Sequence, residues 1–343
     1  MGSRVEEVEY LGLGVFKHLW GSFGQAPLQD IPGSGAVYTG SGRAALRVIL
    51  EHCCNKGIFR DRNDEILIPR WLCQSVIQTL QRFCQPTFTV TGNTKAVLAY
   101  HQYGFPQKMD IIAEFCSRKG LYLIEDCAHA FYSSFEGQRL GTFGNAAIFS
   151  FSKFFPSILG GGLVSGDKEL LVYAKSRLAD TRYSNLTYLS RWFFELSKDG
   201  LFKKISADFQ EMVYAKTDAA FRIKNLSLRS VSHELENSAL EKRKANYRFI
   251  LDHFADRPEY FSYLEKEDIS PYVVPLFAKS EVLIKIAGNL LKNGFYSGVY
   301  HFDVNKNVLE PLFKKCVWLP MHQGVARRSL EKVFTIIRKS DGQ

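Results

Sequence analysis

From Ala36 to Asp126, apolar runs of strand length alternate with segments whose apolar residues recur at helical spacing. Ala36 to Tyr38 leads into Thr39-Gly40-Ser41-Gly42, and Arg43 to Cys54 then sets Ala45, Leu46, Ile49 and Leu50 on one helical face. Glu65 to Pro69 reads as a strand, Cys73 to Phe83 as a helix, Ala96 to Tyr100 as a strand, Asp110 to Lys119 as a helix closed by Gly120, and Leu121 to Ile124 as a strand. Elements alternating at these lengths predict right-handed crossovers and a mainly parallel sheet with helices on both faces, an α/β fold. Ligands of such sheets gather beyond the carboxyl ends of the strands, where this chain carries Glu125-Asp126-Cys127-Ala128-His129.

Asp126 ends a strand that reads as buried, and a carboxylate there is costly unless it meets a cation. Lys153 stands in Ser150-Phe151-Ser152-Lys153 and is followed, after six residues, by Gly160-Gly161-Gly162, which reads as a glycine-flanked loop. A lysine can form a Schiff base with an aldehyde, and an aspartate can keep a pyridine nitrogen protonated, which is the pair that pyridoxal phosphate chemistry requires. The turn Thr39-Gly40-Ser41-Gly42 supplies a third part. It feeds a helix N-terminus, whose N–H groups and dipole suit a phosphate, although taken alone it reads more readily as an ordinary helix cap.

These residues, together with His101-Gln102-Tyr103-Gly104-Phe105-Pro106, Met109-Asp110 and Gly141-Thr142-Phe143-Gly144-Asn145-Ala146-Ala147, resemble the sugar-aminotransferase family DegT/DnrJ/EryC1/StrS. Weaker similarity runs from Ser41-Gly42-Arg43-Ala44-Ala45-Leu46 to Leu319-Pro320-Met321-His322-Gln323-Gly324, while the stretch from Lys168 to Pro275 matches poorly. The resemblance implies an aminotransferase fold of type I, with a large cofactor domain over residues 1–235 and a small C-terminal α+β domain over 236–343. It implies a homodimer with active sites at the subunit interface. It also implies transamination, from glutamate to a keto group on a nucleotide-linked sugar, in cell-surface polysaccharide or secondary-metabolite biosynthesis.

Carried over residue by residue, Lys153 is the cofactor lysine, Asp126 the partner of the ring nitrogen and His129 a neighbour of the ring. Ser150 with Ser41, Gly42, Arg43 and Ala44 matches the phosphate site. The chain departs from the family at several positions. Arg43 stands where most members have a small hydroxyl residue, and its guanidinium can grip the phosphate or reach the substrate. The aromatic that stacks on the ring should follow Pro69; Trp71 fits by chemistry and Cys73 by spacing. Leu159 replaces a frequent glutamate, and Asn225 with Arg229 is the trace of a segment donated by the partner subunit. A sugar dehydratase is an alternative, but such members replace the lysine with histidine. A pyridoxal-phosphate-fold binding protein without turnover is another, suggested by Leu159 and Cys73.

The composition fits this picture. With 46% hydrophobic and 23% charged residues the chain reads as an ordinary globular protein, and it has no apolar run of the roughly 18 residues a membrane span needs. The start carries Glu6, Glu7 and Glu9 rather than the basic-then-apolar layout of a secretory signal, so a cytoplasmic enzyme is expected. Seven cysteines without a C-x-x-C pair argue for reduced thiols and against a structural metal. The net charge of +9 lies mostly in the second half, yet no nucleic-acid motif accompanies it. The aromatic segment 183–215, with Arg191-Trp192-Phe193-Phe194 and Leu201-Phe202-Lys203-Lys204, reads as helices packed in a core or across a dimer interface rather than on a membrane.

Overall fold

The computed structural model describes residues 35–157, 159–178, 220–223, 225–265 and 268–342. The aromatic segment 183–215 and the N-terminal glutamates lie outside them. Seven strands form the central sheet: β1 (Ala36–Thr39), β2 (Glu65–Leu67), β3 (Gln85–Thr87), β4 (Thr94–Tyr100), β5 (Tyr122–Asp126), β8 (Ala146–Ser150) and β9 (Gly161–Ser165), in the order β1-β9-β8-β5-β4-β2-β3. All neighbours run parallel except at β9, which is antiparallel to both β1 and β8. A two-stranded hairpin, β6 (Ser134–Phe135) and β7 (Gln138–Arg139), leaves the loop after β5.

The alternation of β4 explains why the sheet is covered on both sides. Ala96 and Leu98 join one apolar cluster with Leu46, Ile49 and Leu50 of α1 (Gly42–Asn55), whereas Val97 and Ala99 join the other with Ile112 and Cys116 of α3 (Met109–Lys119). Gly120 ends α3 in the left-handed conformation (φ 63°), as its place after Arg118-Lys119 predicts. Between α1 and α3 lies the short α2 (Gln74–Leu80), and α4 (Lys168–Arg177) packs beside α1. Among the described residues no helix is long and apolar enough to cross a membrane.

The triple glycine that flanks the loop after Lys153 runs into a strand. Gly161 and Gly162 are strand residues of β9, paired with Ser150 and Phe149 on one side and with Thr39 and Tyr38 on the other. The physical reason is the close approach of the α1 turn, because a Cβ on Gly161 would stand 2.5 Å from Gly42 N and 2.6 Å from Phe149 O.

A second sheet, β10 (Val274–Leu276), β11 (Val299–Asp303) and β12 (Phe313–Leu319), is antiparallel in the order β10-β12-β11. Its core is shared with α6 (Ala239–His253), α7 (Ser280–Lys292) and α8 (Arg327–Ser340). The chain passes between the two cores at α5 (Asn225–Glu236): Val231 packs in the core of the first sheet, and Tyr247 and Ile250 of α6 in that of the second. The turn after β4 joins the units. Gln102 Nε2 donates to His301 O (2.7 Å), Asp303 N donates to Gln102 Oε1 (2.9 Å), and Tyr272 N donates to Tyr103 O (2.7 Å). Gly104 (φ 98°) lets this crossing be tight, since a Cβ there would lie 2.7 Å from Pro271 Cα and 2.6 Å from His129 O.

Gly161→Ala is expected to destabilise the protein by about 3 kcal/mol, because backbone on both sides of the new methyl cannot move aside. Urea unfolding should show the midpoint falling at unchanged slope, and a midpoint within error of the parent would refute the packing argument.

Candidate active site

The carboxyl ends of β4, β5 and β8 converge with the N-terminus of α1. Ser41 caps that helix through an Oγ that accepts from Ala44 N (3.0 Å). Ser41 also forms a bridge with Gly160, and a Cβ on Gly42 would touch Phe149 O and Ser150 Cβ at 3.2 and 3.4 Å. The fold therefore brings Ser41, Gly42 and Ser150 together beside the first turn that carries Arg43 and Ala44. A helix start at this point offers N–H groups and the positive end of a dipole, which is a fit for phosphate.

Asp126 is 2% exposed at the tip of β5. Burial raises its carboxyl above the ordinary carboxylate range, and the N–H of Ala128 (3.0 Å), the charge of Lys153 and His101 only partly offset this. An added cation facing Asp126 would relieve that cost, so the residue fits the nitrogen of a protonated pyridine ring. Glu125, one residue earlier, faces the other way. It accepts N–H bonds from Gly141 (2.8 Å), Phe143 (2.7 Å) and Gly144 (2.8 Å), and its Oε2 is 3.3 Å from His101 Nε2. Because His101 Nδ1 accepts from Gln107 N (3.1 Å), the proton sits on Nε2 and is donated to Glu125. His101, Glu125 and Cys127 come within 4.8 Å of one another, but these bonds already engage both carboxylate oxygens of Glu125.

Lys153 follows β8 in a short 3₁₀ turn, Phe151–Lys153, and its Nζ lies 5.3 Å from the centre of the Tyr272 ring. His129 stacks on the same tyrosine, with ring centroids 4.4 Å apart and planes 14° from parallel. Burial and then the charge of Lys153 hold the His129 imidazole well below its ordinary value, so it is neutral. Its Nδ1 is 2.6 Å from the hydroxyl of Tyr100.

The two candidates for the ring-stacking position separate in space. Trp71, 50% exposed, stacks on His301 of β11 with centroids 4.1 Å apart and planes 1° from parallel. Cys73 lies within electrostatic reach of both Lys153 and Arg43. Desolvation pushes its thiol up, but the hydroxyl and N–H of Ser75, then Lys153 and Arg43, bring it below the ordinary thiol value. Leu159 is buried, and Asn225 begins α5 with Arg229 one turn on.

The sequence reading missed Tyr100 and Tyr272. Tyr100 had a usable signal, because in a parallel sheet the last residue of one strand sits beside the last of the next, and Tyr100 is the register partner of Asp126. Tyr272 had none, since it arrives from a segment far along the chain.

The sequence profile of the DegT/DnrJ/EryC1/StrS aminotransferase family matches residues 87–283, more than half of the chain. The GDP-perosamine synthase of Escherichia coli O157:H7 is 42% identical over 83 residues, which is 24% of this chain and 23% of that protein. The dTDP-4-dehydro-2,3,6-trideoxy-D-glucose 4-aminotransferase of Saccharopolyspora spinosa is 46% identical over 92 residues, 26% of this chain and 24% of that protein. The chain thus matches about a quarter of the length of each of these curated relatives. The similarity of the fold extends further. PseC of Helicobacter pylori, an aminotransferase involved in pseudoaminic acid biosynthesis, superimposes with a TM-score of 0.65 over 95% of this chain and 94% of its own, at 16% identity. By its sequence profile, with an α/β fold and a cluster of motif residues to match, the chain belongs to the DegT/DnrJ/EryC1/StrS aminotransferase family.

Proposed function

We propose that this protein is a pyridoxal phosphate-dependent aminotransferase that moves an amino group from glutamate to a keto group of a nucleotide-linked sugar. The observation that carries the reading is the buried, poorly compensated carboxylate of Asp126 beside Lys153, with the capped start of α1 packed against Ser150. Relatives named for GDP- and dTDP-linked sugars support the acceptor class. The presence of Lys153 speaks against the dehydratase alternative.

Bound pyridoxal phosphate supplies an electron-accepting ring that stabilises negative charge on the substrate carbon. Asp126 holds the ring nitrogen in its protonated form. The first turn of α1, with Ser41, Gly42, Arg43 and Ala44, and the Ser150 hydroxyl bind the phosphate. Lys153 carries the cofactor between cycles and moves the proton at the substrate carbon through its free amine. Tyr272, whose ring centre lies 5.3 Å from Lys153 Nζ, would exclude water from that side of the amine. Cys73, within electrostatic reach of Lys153 and Arg43, would flank the bound ring, while Trp71 is engaged by the ring of His301. The homodimer implied by the family resemblance belongs to the same proposal, and a fully active species sedimenting as one chain would remove it.

Borohydride treatment of protein loaded with pyridoxal phosphate, followed by peptide mapping, should find the cofactor mass on Lys153; attachment elsewhere refutes the assignment. Asp126→Asn should still take up the cofactor but lose at least about a hundredfold in kcat, the scale of a lost acid–base or electrostatic contribution. Near-parental turnover in that variant would end the role of Asp126.

Arg43→Ala reads the phosphate site. If the guanidinium grips the phosphate, cofactor affinity should fall by about 1.5–3 kcal/mol, the range for a hydrogen bond to a charged group, while the turnover of saturated enzyme holds. Unchanged cofactor affinity with a raised KM for the keto substrate would instead assign Arg43 to the substrate.

A further inference from the structure

Tyr100 and His129 form a buried pair to which the chemistry proposed above gives no task. Tyr100 ends β4 opposite Asp126 of β5, and in-register positions on neighbouring strands carry their side chains on the same face. Its hydroxyl therefore stands on the Asp126 side of the sheet, 2.6 Å from His129 Nδ1. Around the pair lie Asp126 and Tyr103 on the strand side, Cys73 before α2, and Lys153 after β8. Tyr272 covers the imidazole face.

The protonation of the pair follows from these surroundings. Burial, then Tyr103 and Asp126, keeps the Tyr100 phenol far above its ordinary value, so it remains O–H throughout the working range. The phenol therefore has a proton to give across the 2.6 Å contact to Nδ1. The imidazole is kept neutral by burial and by Lys153. An acceptor at Nδ1 puts the one ring proton on Nε2. Among the described residues Nε2 makes no hydrogen bond, and the 14° stack on Tyr272 fixes the plane in which it points.

We propose that Tyr100 is a positioning residue that locks His129 as the Nε2–H tautomer, so that the histidine presents a hydrogen-bond donor, never a lone pair, to an oxygen of the group bound beside Lys153. The proposal rests on the cofactor reading for what is bound, but its geometry belongs to the protein alone. Burial and Lys153 keep a second positive charge from forming on the locked ring when the pH falls through the range in which a free histidine titrates.

The test is ¹⁵N NMR of histidine-labelled protein without ligand, with the His129 signals assigned by their loss in His129→Gln. The expected pattern is a protonated Nε2 and a bare Nδ1, constant between about pH 5.5 and 8. A protonated Nδ1, or an imidazolium forming near pH 6.5, overturns the proposal. Tyr100→Phe removes only the hydroxyl; the two nitrogens should then average between tautomers, and the visible band of the pyridoxal phosphate-loaded variant should move. Its kcat should fall about five- to tenfold, the worth of one neutral hydrogen bond, with KM changed less than twofold. A Tyr100→Phe protein with the parental nitrogen pattern also overturns the proposal, and the wild-type pattern decides the matter should that variant not fold. The expected wild-type pattern supports the lock whether or not pyridoxal phosphate binds, and a protein that shows it yet takes up no pyridoxal phosphate refutes the cofactor reading alone.

Discussion

Burial of the Asp126 carboxyl sets the terms for everything around it. At 2% exposure the charged form loses most of its hydration, and the nearby N–H of Ala128 and the charge of Lys153 do not restore it. A group in this state costs the ligand-free protein stability at neutral pH. Because its folded pKa lies above the unfolded one, its favourable contribution is present at acid pH and is lost as pH rises. A ligand that brought a cation to Asp126 would offset this cost, and its binding would then be coupled to folding. Glu125 shows the contrast. One residue earlier on the same strand, it has backbone donors for both oxygens and serves to anchor the loop from Gly141 to Gly144.

The helix-start end of the site, proposed above for a phosphate, depends on close approach rather than on charge alone. The first turn of α1 can lie on β9 only because Gly42 and Gly161 have no side chains between them. That contact aligns the helix dipole with the ends of β8 and β9, the same strands that carry Ser150 and lead to and from Lys153. One packing event therefore fixes the start of α1 and the lysine relative to each other.

Much of this was legible in the chain because it is local. The alternation of Ala96 to Tyr100 and the cap at Gly120 are written in periods of two and 3.6 residues, and the Asp126, Lys153 and Ser41 motifs each sit in one short stretch. The glycine run flanks the lysine loop as read, but that it enters a crowded strand beneath the start of α1 is recorded by no local pattern. Trp71 and Cys73 could not be told apart for the same reason, since the partner of Trp71 is His301, from the other unit. The helix α7 passed unnoticed between motifs, although Leu283, Ile286, Ala287 and Leu290 recur at helical spacing and are buried.

The second unit acts on the site through a buried cation. Arg243 of α6 is fully buried; its Nη1 donates to Gln323 Oε1 (2.9 Å), and its Nη2 to Pro271 O (3.1 Å) and Tyr272 O (3.2 Å). Its guanidinium also lies 4.7 Å from the centre of the Phe154 ring, next in sequence to Lys153. One planar group thus holds both the backbone that presents Tyr272 and the residue after the lysine. Gln323 extends the same connection by donating to Phe154 O (2.7 Å) and to Glu234 of α5 (3.1 Å). A buried guanidinium is expensive to desolvate, and its hydrogen bonds keep a single arrangement of its neighbours favourable. The distance between Lys153 and the Tyr272–His129 stack is therefore set from the second unit, by groups that need not touch the ligand. This is why a site whose motifs all lie between Ser41 and Gly162 cannot be separated from the helices that follow it.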